Sequence, residues 1–198
     1  MVKLLLASRN QHKIEELQQM LVGLNIEVIS LDDVADMPVI EEDGKTFNEN
    51  ASKKARLTAM HTGLICLADD SGLVVDALGG QPGVYSARFA GEDADDRKNN
   101  HKLLQMLRGL EDEKRQARFI CVIAISDPQG KVQTVEGTCK GQINYGERGT
   151  GGFGYDPLFI PEGYSQTFAE LPPEEKNRIS HRGQALLKAR SILEKVTG

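Results

Sequence analysis

An apolar run that stops at two adjacent carboxylates constrains this chain more than any other stretch. Residues 64–68 read Leu-Ile-Cys-Leu-Ala, and Asp69, Asp70, Ser71 and Gly72 follow. The run predicts a buried strand whose carboxyl end delivers the acidic groups into a turn. In open α/β sheets, ligands bind in the crevice beyond the carboxyl ends of the strands. Two neighbouring carboxylates there need a cation or a proton to offset their repulsion, although an ordinary Asp-Ser-Gly turn explains the same residues.

Length and composition describe an ordinary globular protein. The 198 residues fit a single domain over residues 1–198, with 39% hydrophobic and 27% charged residues. The net charge of -5 argues against nucleic-acid binding, which needs a basic face. The apolar run at residues 4–7 is too short for a signal peptide or a membrane span. Three widely spaced cysteines without a CxxC pair indicate neither a zinc site nor a disulfide framework, so we expect a cytoplasmic protein with no membrane partner.

Alternating strand and helix patterns predict an α/β fold. Short apolar runs predict strands at residues 2–7, 26–31, 64–68 and 119–126, with residues 73–78 continuing as extended chain. The run at 119–126 is apolar on both faces, which favours a central strand, and a type I turn at residues 127–130 returns it as a hairpin. Helices are predicted after residue 13, after Asp95, after Pro172 and after Arg182. A further helix is predicted to begin at a capping box formed by Thr46 and Glu49.

Two basic segments are candidates for binding an anion. Residues 8–13 form a polar loop between the first strand and the first helix, where backbone N–H groups and the positive helix end suit a phosphate. The loop lacks the GxxxxGK[ST] pattern of a P-loop, so an ordinary helix cap explains it equally well. Lys53, Lys54 and Arg56 lie on the helix that begins near Thr46. Either all three are solvated, or one of them points toward an acidic ligand near Glu42.

A glycine-rich segment at residues 149–154 formally matches GxGxxG. A dinucleotide site is excluded because that motif must open a helix, whereas Pro157 and the β-prone residues 158–160 follow here. The glycines instead predict a close backbone approach to a ligand, or a strained turn. Residues 153–156, with Lys176, His181 and Arg182, are candidates to hold a planar ring, although a single histidine at a helix start is commonly structural.

Carboxylates from two places in the chain suggest metal-assisted chemistry on phosphorus. The pairs Glu41 and Glu42, and Asp69 and Asp70, supply the oxygen ligands that Mg²⁺ prefers, together with phosphate oxygens. An aspartate near such an ion can activate water for attack on phosphorus. The chain shows no Ser-His-Asp order, GxSxG elbow or HExxH helix, so acyl transfer and zinc hydrolysis have no support.

Several motifs in one order then match a known family nearly end to end. They are Ser8-x-Asn10-x-x-Lys13, Glu42-x-Gly44-x-Thr46-Phe47-x-Glu49-Asn50-Ala51, Ala68-Asp69-Asp70-Ser71-Gly72-Leu73, LGGxPGVYSAR at residues 78–88, GTGGFGYDP at residues 149–157, and Ile179-Ser180-His181-Arg182. On these motifs the sequence closely resembles the inosine triphosphatase family, the pyrophosphatases of deaminated purine nucleoside triphosphates. Many relatives have Thr-Gly-Asn where this chain has Ser-Arg-Asn at residues 8–10.

The resemblance implies both an architecture and a reaction. The implied fold is an elongated mixed β-sheet with flanking helices and two lobes around a central active-site cleft, and the implied assembly is a homodimer. The implied activity is hydrolysis of ITP, dITP and XTP to the monophosphate and pyrophosphate, with Mg²⁺ as cofactor.

The resemblance also implies roles for individual residues. Asp70 is expected to act as the general base and, with Glu42, to hold Mg²⁺, while Asp69 supports the site. The residues expected to bind the triphosphate are Ser8, Arg9, Asn10, Gln11, His12 and Lys13, assisted by Lys54. Ser71 is expected to touch the substrate. The residues expected to form the base pocket are Phe153, Gly154, Tyr155, Asp156, Lys176, His181 and Arg182.

Selection of the base follows from hydrogen-bond chemistry. Lys176 and Arg182 only donate, so they suit the 6-oxo group of a deaminated purine and are left unpaired against a 6-amino group. Each unmatched buried donor costs about 1–3 kcal/mol, and several together reject ATP. GTP carries the same 6-oxo group, so its exclusion must depend on the 2-position.

Three alternatives stay open at this point. A related pyrophosphatase for modified pyrimidine or standard nucleotides would differ in the base pocket. A non-catalytic nucleotide-binding regulator is disfavoured, because it gains nothing from the two carboxylates of Asp70 and Glu42. A purely structural domain does not explain the grouping of turns, carboxylates and donors.

Overall fold

The structure, a computed structural model, describes residues 1–197, apart from the side chains of His12, Val196 and Thr197. Within these residues the strands are β1 (Val2–Leu6), β2 (Ile26–Ser30), β3 (Ile65–Val75), β4 (Gln116–Ser126), β5 (Val132–Ile143) and β6 (Phe159–Pro161). The α-helices are α1 (Gln11–Met20), α2 (Phe47–Thr62), α3 (Asp96–Met106), α4 (Pro173–Ile179) and α5 (His181–Thr197). The predicted α/β class is confirmed.

The strands form one mixed sheet in the order β2-β1-β3-β4-β5-β6. Strand β1 pairs in parallel with both β2 and β3, while β6 runs antiparallel to β5. The predicted hairpin joins β4 to β5: the N–H of Gly130 donates to the carbonyl of Asp127 over 3.0 Å, which closes the turn. Helix α1 connects the parallel strands β1 and β2, as the crossover of a parallel pair requires.

Contacts divide the chain into two compact units. The first comprises Met1–Asp70, Cys121–Gly137 and Gln184–Gly198. Its core joins β1, α1, β4 and α5 through the buried residues Leu4, Leu6, Leu17, Leu21, Ile123, Ala185, Ala189 and Leu193. Helix α2 turns the fully buried Ala51, Ala55 and Ala59 inward, so its inner face is small and apolar.

The second unit comprises Ser71–Ile120 and Thr138–Gly183. Three phenylalanines anchor its core. The ring of Phe119 lies 4.8 Å from that of Phe159 and 5.9 Å from that of Phe168, between centroids. Helix α3 packs against this core through Leu103, as does Leu107 directly after it. The predicted cap of α3 is present, because the side chain of Asp95 accepts from the N–H of Lys98.

The predicted end of the third strand is wrong. Strand β3 continues without interruption through Asp69, Asp70, Ser71 and Gly72 to Val75. The turn preference of those residues loses because both carboxylates find partners in the fold and Leu73–Val75 is buried. The acidic pair therefore sits in mid-strand.

Four smaller predictions also need correction. Helix α1 already begins at Gln11, so residues 11–13 form its first turn and are not part of the loop. Helix α5 begins at His181 itself, and Asp76–Leu78 is a short 3-10 helix. The capping box is incomplete: Thr46 accepts from the N–H of Glu49, but the Glu49 carboxylate accepts from Lys45.

No helix in the described part of the chain is long and apolar enough to cross a membrane. Cys66, Cys121 and Cys139 are buried free thiols. Burial raises the pKa of Cys66 to about 12, so this thiol stays protonated and unreactive at neutral pH.

Candidate active site

The loop after β1 is organised as a helix cap. The hydroxyl of Ser8 accepts from the N–H of Asn10 over 3.1 Å, and the Asn10 side chain accepts from the N–H of Lys13 over 3.4 Å. Arg9 is exposed and forms an ion pair with Asp32 at 3.1 Å. The side chain of His12 lies outside the described residues. The segment predicted for the triphosphate therefore consists of a capped helix start, which favours an anion through its partial positive charge.

Asp69 is paired with Lys13. The Lys13 ammonium lies 2.9 Å from the Asp69 carboxylate, whose side chain is only 7% exposed. A cation at this distance offsets most of the cost of burying the carboxylate. The pair fixes Lys13 at the first turn of α1, and the supporting role of Asp69 stays a prediction.

Lys54 of α2 points toward Glu42, Asp69 and Asp70. Its ammonium lies 2.9 Å from Oε1 of Glu42. Burial alone would lower the pKa of Lys54, but the charges of Asp69, Glu42 and Asp70 outweigh burial and raise it. Lys53 pairs instead with the exposed Asp43, as a solvated residue would.

Asp70 is a half-buried carboxylate held by Asn50. The Asn50 amide donates to Oδ2 of Asp70 over 2.9 Å, and its oxygen accepts from the N–H of Gly44 over 2.7 Å. Burial is the main influence on the pKa of Asp70 and raises it, with the charges of Glu42 and Asp69 acting in the same direction. Perturbed carboxyl groups of this kind are typical of active sites.

The donor set around Asp70 fits a hard cation. Among the described residues, no group of three or more His, Cys, Asp or Glu side chains could hold a metal ion by itself. Mg²⁺ is commonly held by one or two carboxylates together with substrate phosphates and water. Glu42 and Asp70, which interact electrostatically, supply two such carboxylates and no nitrogen or sulfur ligand. These residues fit Mg²⁺ better than zinc.

In the second unit, Asp156 connects the glycine-rich segment to α4. One buried carboxylate oxygen accepts from the N–H of Phe153 over 2.9 Å and from the Lys176 ammonium over 2.6 Å. The Lys176 ammonium lies 5.1 Å from the centroid of the Phe153 ring, and the Arg182 guanidinium lies 5.6 Å from it. The partly exposed Phe153 ring is therefore flanked by two cations.

The start of α5 contributes the next two predicted residues. His181 stacks on Phe119 with centroids 4.7 Å apart, which gives it a packing role in the core. Arg182 donates to the hydroxyl of Ser71 over 3.2 Å. Both His181 and Arg182 are buried. The structure thus brings Ser71, Phe153 and Arg182 together with Lys176.

Two predicted base-pocket residues occupy structural positions. Tyr155 is buried in the core, and its hydroxyl donates to the carbonyl of Ser86 over 2.8 Å. Burial raises the pKa of Tyr155, in keeping with this enclosed position. The N–H of Gly154 donates to the carboxylate of Asp96 over 2.7 Å. The buried side chain of Tyr155 therefore anchors the glycine-rich segment to the core.

The glycines of the segment approach another part of the chain. Gly149 and Gly152 have positive φ angles of 81° and 72°. A Cβ at Gly149 would lie 2.5 Å from the carbonyl carbon of Ala169, and one at Gly152 would lie 2.0 Å from an oxygen of Asp156. The close backbone approach that the structure shows is to Ala169 and Asp156, and the approach to a ligand stays a prediction.

A family model described as the Ham1 family matches residues 4–192. The chain belongs to the Ham1 family. Among its relatives, the "dITP/XTP pyrophosphatase" of Desulforamulus reducens is 54% identical over 98% of this chain and 97% of its own. That of Geobacter sulfurreducens is 55% identical over 94% of each chain. The resemblance drawn from the motifs is confirmed.

Solved structures of Ham1 proteins share this fold. A HAM1 protein from Coxiella burnetii superposes with a TM-score of 0.92 at 44% identity, covering 98% of this chain and 100% of its own. A nucleoside-triphosphatase / dITP/XTP pyrophosphatase from Mycobacterium abscessus superposes with a TM-score of 0.81 at 47% identity, covering 95% and 98%. The mixed α/β architecture expected from the resemblance is therefore that of the family.

Sequence reasoning missed three side chains that organise the site of this Ham1 protein. Asn50 orients Asp70, and a signal for it was available, because Asn50 and Lys54 are four residues apart on one face of α2. Asp96 and Asn100 of α3 hold Gly154 from 58 and 54 residues away in the chain. No local sequence pattern predicts these two contacts.

Proposed function

We propose that this Ham1-family protein hydrolyses deaminated purine nucleoside triphosphates, ITP, dITP and XTP, to the monophosphate and pyrophosphate. The observation that carries the proposal is the half-buried Asp70 carboxylate, oriented by Asn50 and set among the charges of Glu42 and Lys54. Two full-length relatives named dITP/XTP pyrophosphatase, at 54% and 55% identity, support the substrate class.

The first unit carries the groups suited to the triphosphate. Lys13 and Lys54 supply positive charge, and the capped start of α1, with Ser8, Arg9, Asn10, Gln11 and His12, supplies backbone N–H donors. Glu42 and Asp70 would hold Mg²⁺, which when bound neutralises phosphate charge and lowers the pKa of coordinated water. Release of Lys54 from Glu42 frees its ammonium for a phosphate oxygen.

Asp70 is the residue that we propose as the general base. Its raised pKa lies closer to neutrality than that of an exposed aspartate, which favours acceptance of a proton from water. Asn50 holds Oδ2, so the carboxylate keeps one orientation before substrate arrives. A fixed base avoids part of the entropic cost of reaching the reactive geometry.

The second unit carries the groups suited to the base. The Phe153 ring offers a face for stacking, and Lys176 and Arg182, which is bonded to Ser71, flank it with hydrogen-bond donors. His181, proposed as a further member of the pocket, precedes Arg182 in the chain and stacks on Phe119. Lys176 and Arg182 cannot accept hydrogen bonds, so they favour the 6-oxo group of hypoxanthine or xanthine over the 6-amino group of adenine. Asp156 acts on the pocket by holding Phe153 and Lys176.

The domain organisation, the assembly, the location and the partners of the protein are also proposals. We propose a single functional domain, a homodimer and a cytoplasmic location, with neither nucleic acid nor membrane as a partner. The net charge of -5 disfavours nucleic acid as a partner, and the buried thiols suit a reducing compartment such as the cytoplasm.

A product assay tests this proposal. Purified protein with Mg²⁺ receives ITP, XTP, GTP, ATP or dTTP separately, and both pyrophosphate and orthophosphate are measured. We expect pyrophosphate from ITP and XTP, at much higher kcat/KM than from the other three. Orthophosphate as the product, or equal rates on ATP and ITP, would contradict the proposal. Preference for dTTP would favour a pyrimidine nucleotide pyrophosphatase.

A further inference from the structure

Helix α3 clamps the backbone of Gly154 from both sides. The carboxylate of Asp96 accepts from the Gly154 N–H over 2.7 Å, and the amide of Asn100 donates to the Gly154 carbonyl over 3.2 Å. Asp96 and Asn100 are four residues apart, so they share one face of α3. Gly154 has a φ of 62°, a backbone conformation that glycine adopts at no steric cost. Both backbone polar groups of Gly154 are therefore held by a single rigid element.

The clamp extends to the start of the glycine-rich segment. The same Asn100 nitrogen donates to Oε1 of Glu147 over 3.0 Å. Asn100 is buried, and its two acceptors both need an N–H donor, so they fix which way the amide points. Residues 147 and 154, which bracket the segment, are thereby tied to one side chain.

The clamped residue adjoins Phe153, whose ring is the stacking face of the base pocket. Asp156 holds the N–H of Phe153, while Asp96 holds the next N–H along the chain. The amide groups on both sides of Phe153 are therefore held, which fixes the backbone from which its ring projects. Phe153 is 38% exposed, so this held backbone, together with the cations of Lys176 and Arg182, determines where the ring lies.

We propose that Asp96 and Asn100 are positioning residues that set the orientation of Phe153 and thereby the discrimination between purine bases. The proposal rests on the proposed function, because discrimination has meaning only for an enzyme that selects deaminated purines. Asp96 and Asn100 act through Gly154 and Phe153 and do not touch the substrate.

Asp96→Ala tests the proposal, with Asp95→Ala as its matched control. Asp95 caps the same helix through the N–H of Lys98, so its removal weakens α3 without touching Gly154. We expect Asp96→Ala to lower the ratio of kcat/KM for ITP to that for ATP about tenfold, mainly through a higher KM for ITP. Asp95→Ala should lower the thermal unfolding midpoint and leave the ratio unchanged.

Three further readouts separate positioning from a general loss of structure. The inhibition constant of inorganic tripolyphosphate, which has no base, should be unchanged in Asp96→Ala. Asp96→Asn keeps an acceptor oxygen, so it should restore most of the ratio. Amide hydrogen exchange at Gly154, followed by NMR, should be at least about tenfold faster in Asp96→Ala.

The possible failures are distinguishable. If the wild-type protein prefers ITP over ATP and Asp96→Ala keeps the full preference, the positioning role is overturned while the proposed function stands. If Asp95→Ala loses the preference as well, α3 acts only through its stability and the positioning role is again overturned. If the wild-type protein has no preference for ITP, the proposed function itself fails, whatever the exchange rate of Gly154.

Discussion

Lys54 lies with its ammonium 2.9 Å from Oε1 of Glu42, so a lysine neutralises a carboxylate that we propose as a metal ligand. The charges of Asp69 and Asp70 also act on Lys54, and together with the charge of Glu42 they raise its pKa. Lys54 therefore balances part of the negative charge of Glu42, Asp69 and Asp70, and Lys13 pairs with Asp69. A divalent ion held by Glu42 would compete with the Lys54 ammonium.

Replacement of Lys54 should change metal binding and phosphate binding in opposite directions. We expect Lys54→Met to bind Mn²⁺ alone about two- to tenfold more tightly, because Glu42 no longer has a competing ammonium. The same variant should bind tripolyphosphate more weakly, since a positive charge is lost. Isothermal titration calorimetry measures both. Lys53→Met, which removes only the pair with exposed Asp43, serves as the control, and equal Mn²⁺ affinity in all three proteins would refute the prediction.

Removal of the proposed base should abolish turnover without unfolding the protein. An asparagine at position 70 still accepts from the Asn50 amide, so Asp70→Asn should keep a thermal midpoint near that of the wild type. We expect kcat for ITP to fall by about 10²- to 10⁴-fold. Asp76→Asn changes an exposed carboxylate just beyond the same strand and should turn over normally. Wild-type turnover by a folded Asp70→Asn protein would exclude Asp70 as base.

Local signals predicted the helices well. Thr46 and Asp95 each cap a helix by accepting from an N–H three residues ahead, and such contacts can be inferred from a few neighbouring residues. The turn predicted at residues 69–72 failed for the opposite reason. The partners that stabilise Asp69 and Asp70 in a strand, Lys13 and Asn50, are 56 and 20 residues away.

The candidate site could likewise be predicted only in part. The residues of the glycine-rich segment and the start of α5 could be selected from motifs, because the resemblance covers them. Motifs did not reveal that Tyr155 turns into the core, nor that Asp156 holds Lys176. Both facts depend on how elements pack, and packing is decided by contacts between residues that are distant in the sequence.

A buried guanidinium should be important for stability. Arg115 is 2% exposed and donates to the carbonyls of Leu107, Ile143 and Asn144 over 2.7–2.9 Å. Arg115→Met removes the donor that all three carbonyls share, and we expect it to lower the free energy of unfolding by about 2–4 kcal/mol.

Urea denaturation measures that loss. Arg115→Lys should rescue little, because one ammonium on a flexible chain does not reproduce the planar fork that meets all three carbonyls. The exposed Arg118, paired with Asp76, provides the comparison, and Arg118→Met should cost less than about 1 kcal/mol. Equal losses from Arg115→Met and Arg118→Met would refute the importance of the three carbonyl contacts.

Glu175 should contribute to stability only above acidic pH. Hydrogen bonds from Arg178 and from the hydroxyl of Tyr164 lower the pKa of Glu175 from 4.5 to about 2. Because the folded pKa is the lower one, the contribution is present above pH 4.5 and is lost as the pH falls toward 2. Glu175→Gln should therefore have a lower thermal midpoint than the wild type at pH 6, with the difference vanishing near pH 2. A difference that grew on acidification would show that the sign is wrong.

The most direct test of the account places ITP and ATP in one tube at equal concentration with Mg²⁺ and the purified protein. Chromatography of the nucleotides and an assay of pyrophosphate follow the reaction together. We expect IMP and pyrophosphate to appear in equal amounts while ATP persists, because the donors around Phe153 favour the 6-oxo base. Consumption of ATP at the same rate, or release of IDP in place of IMP, would contradict it.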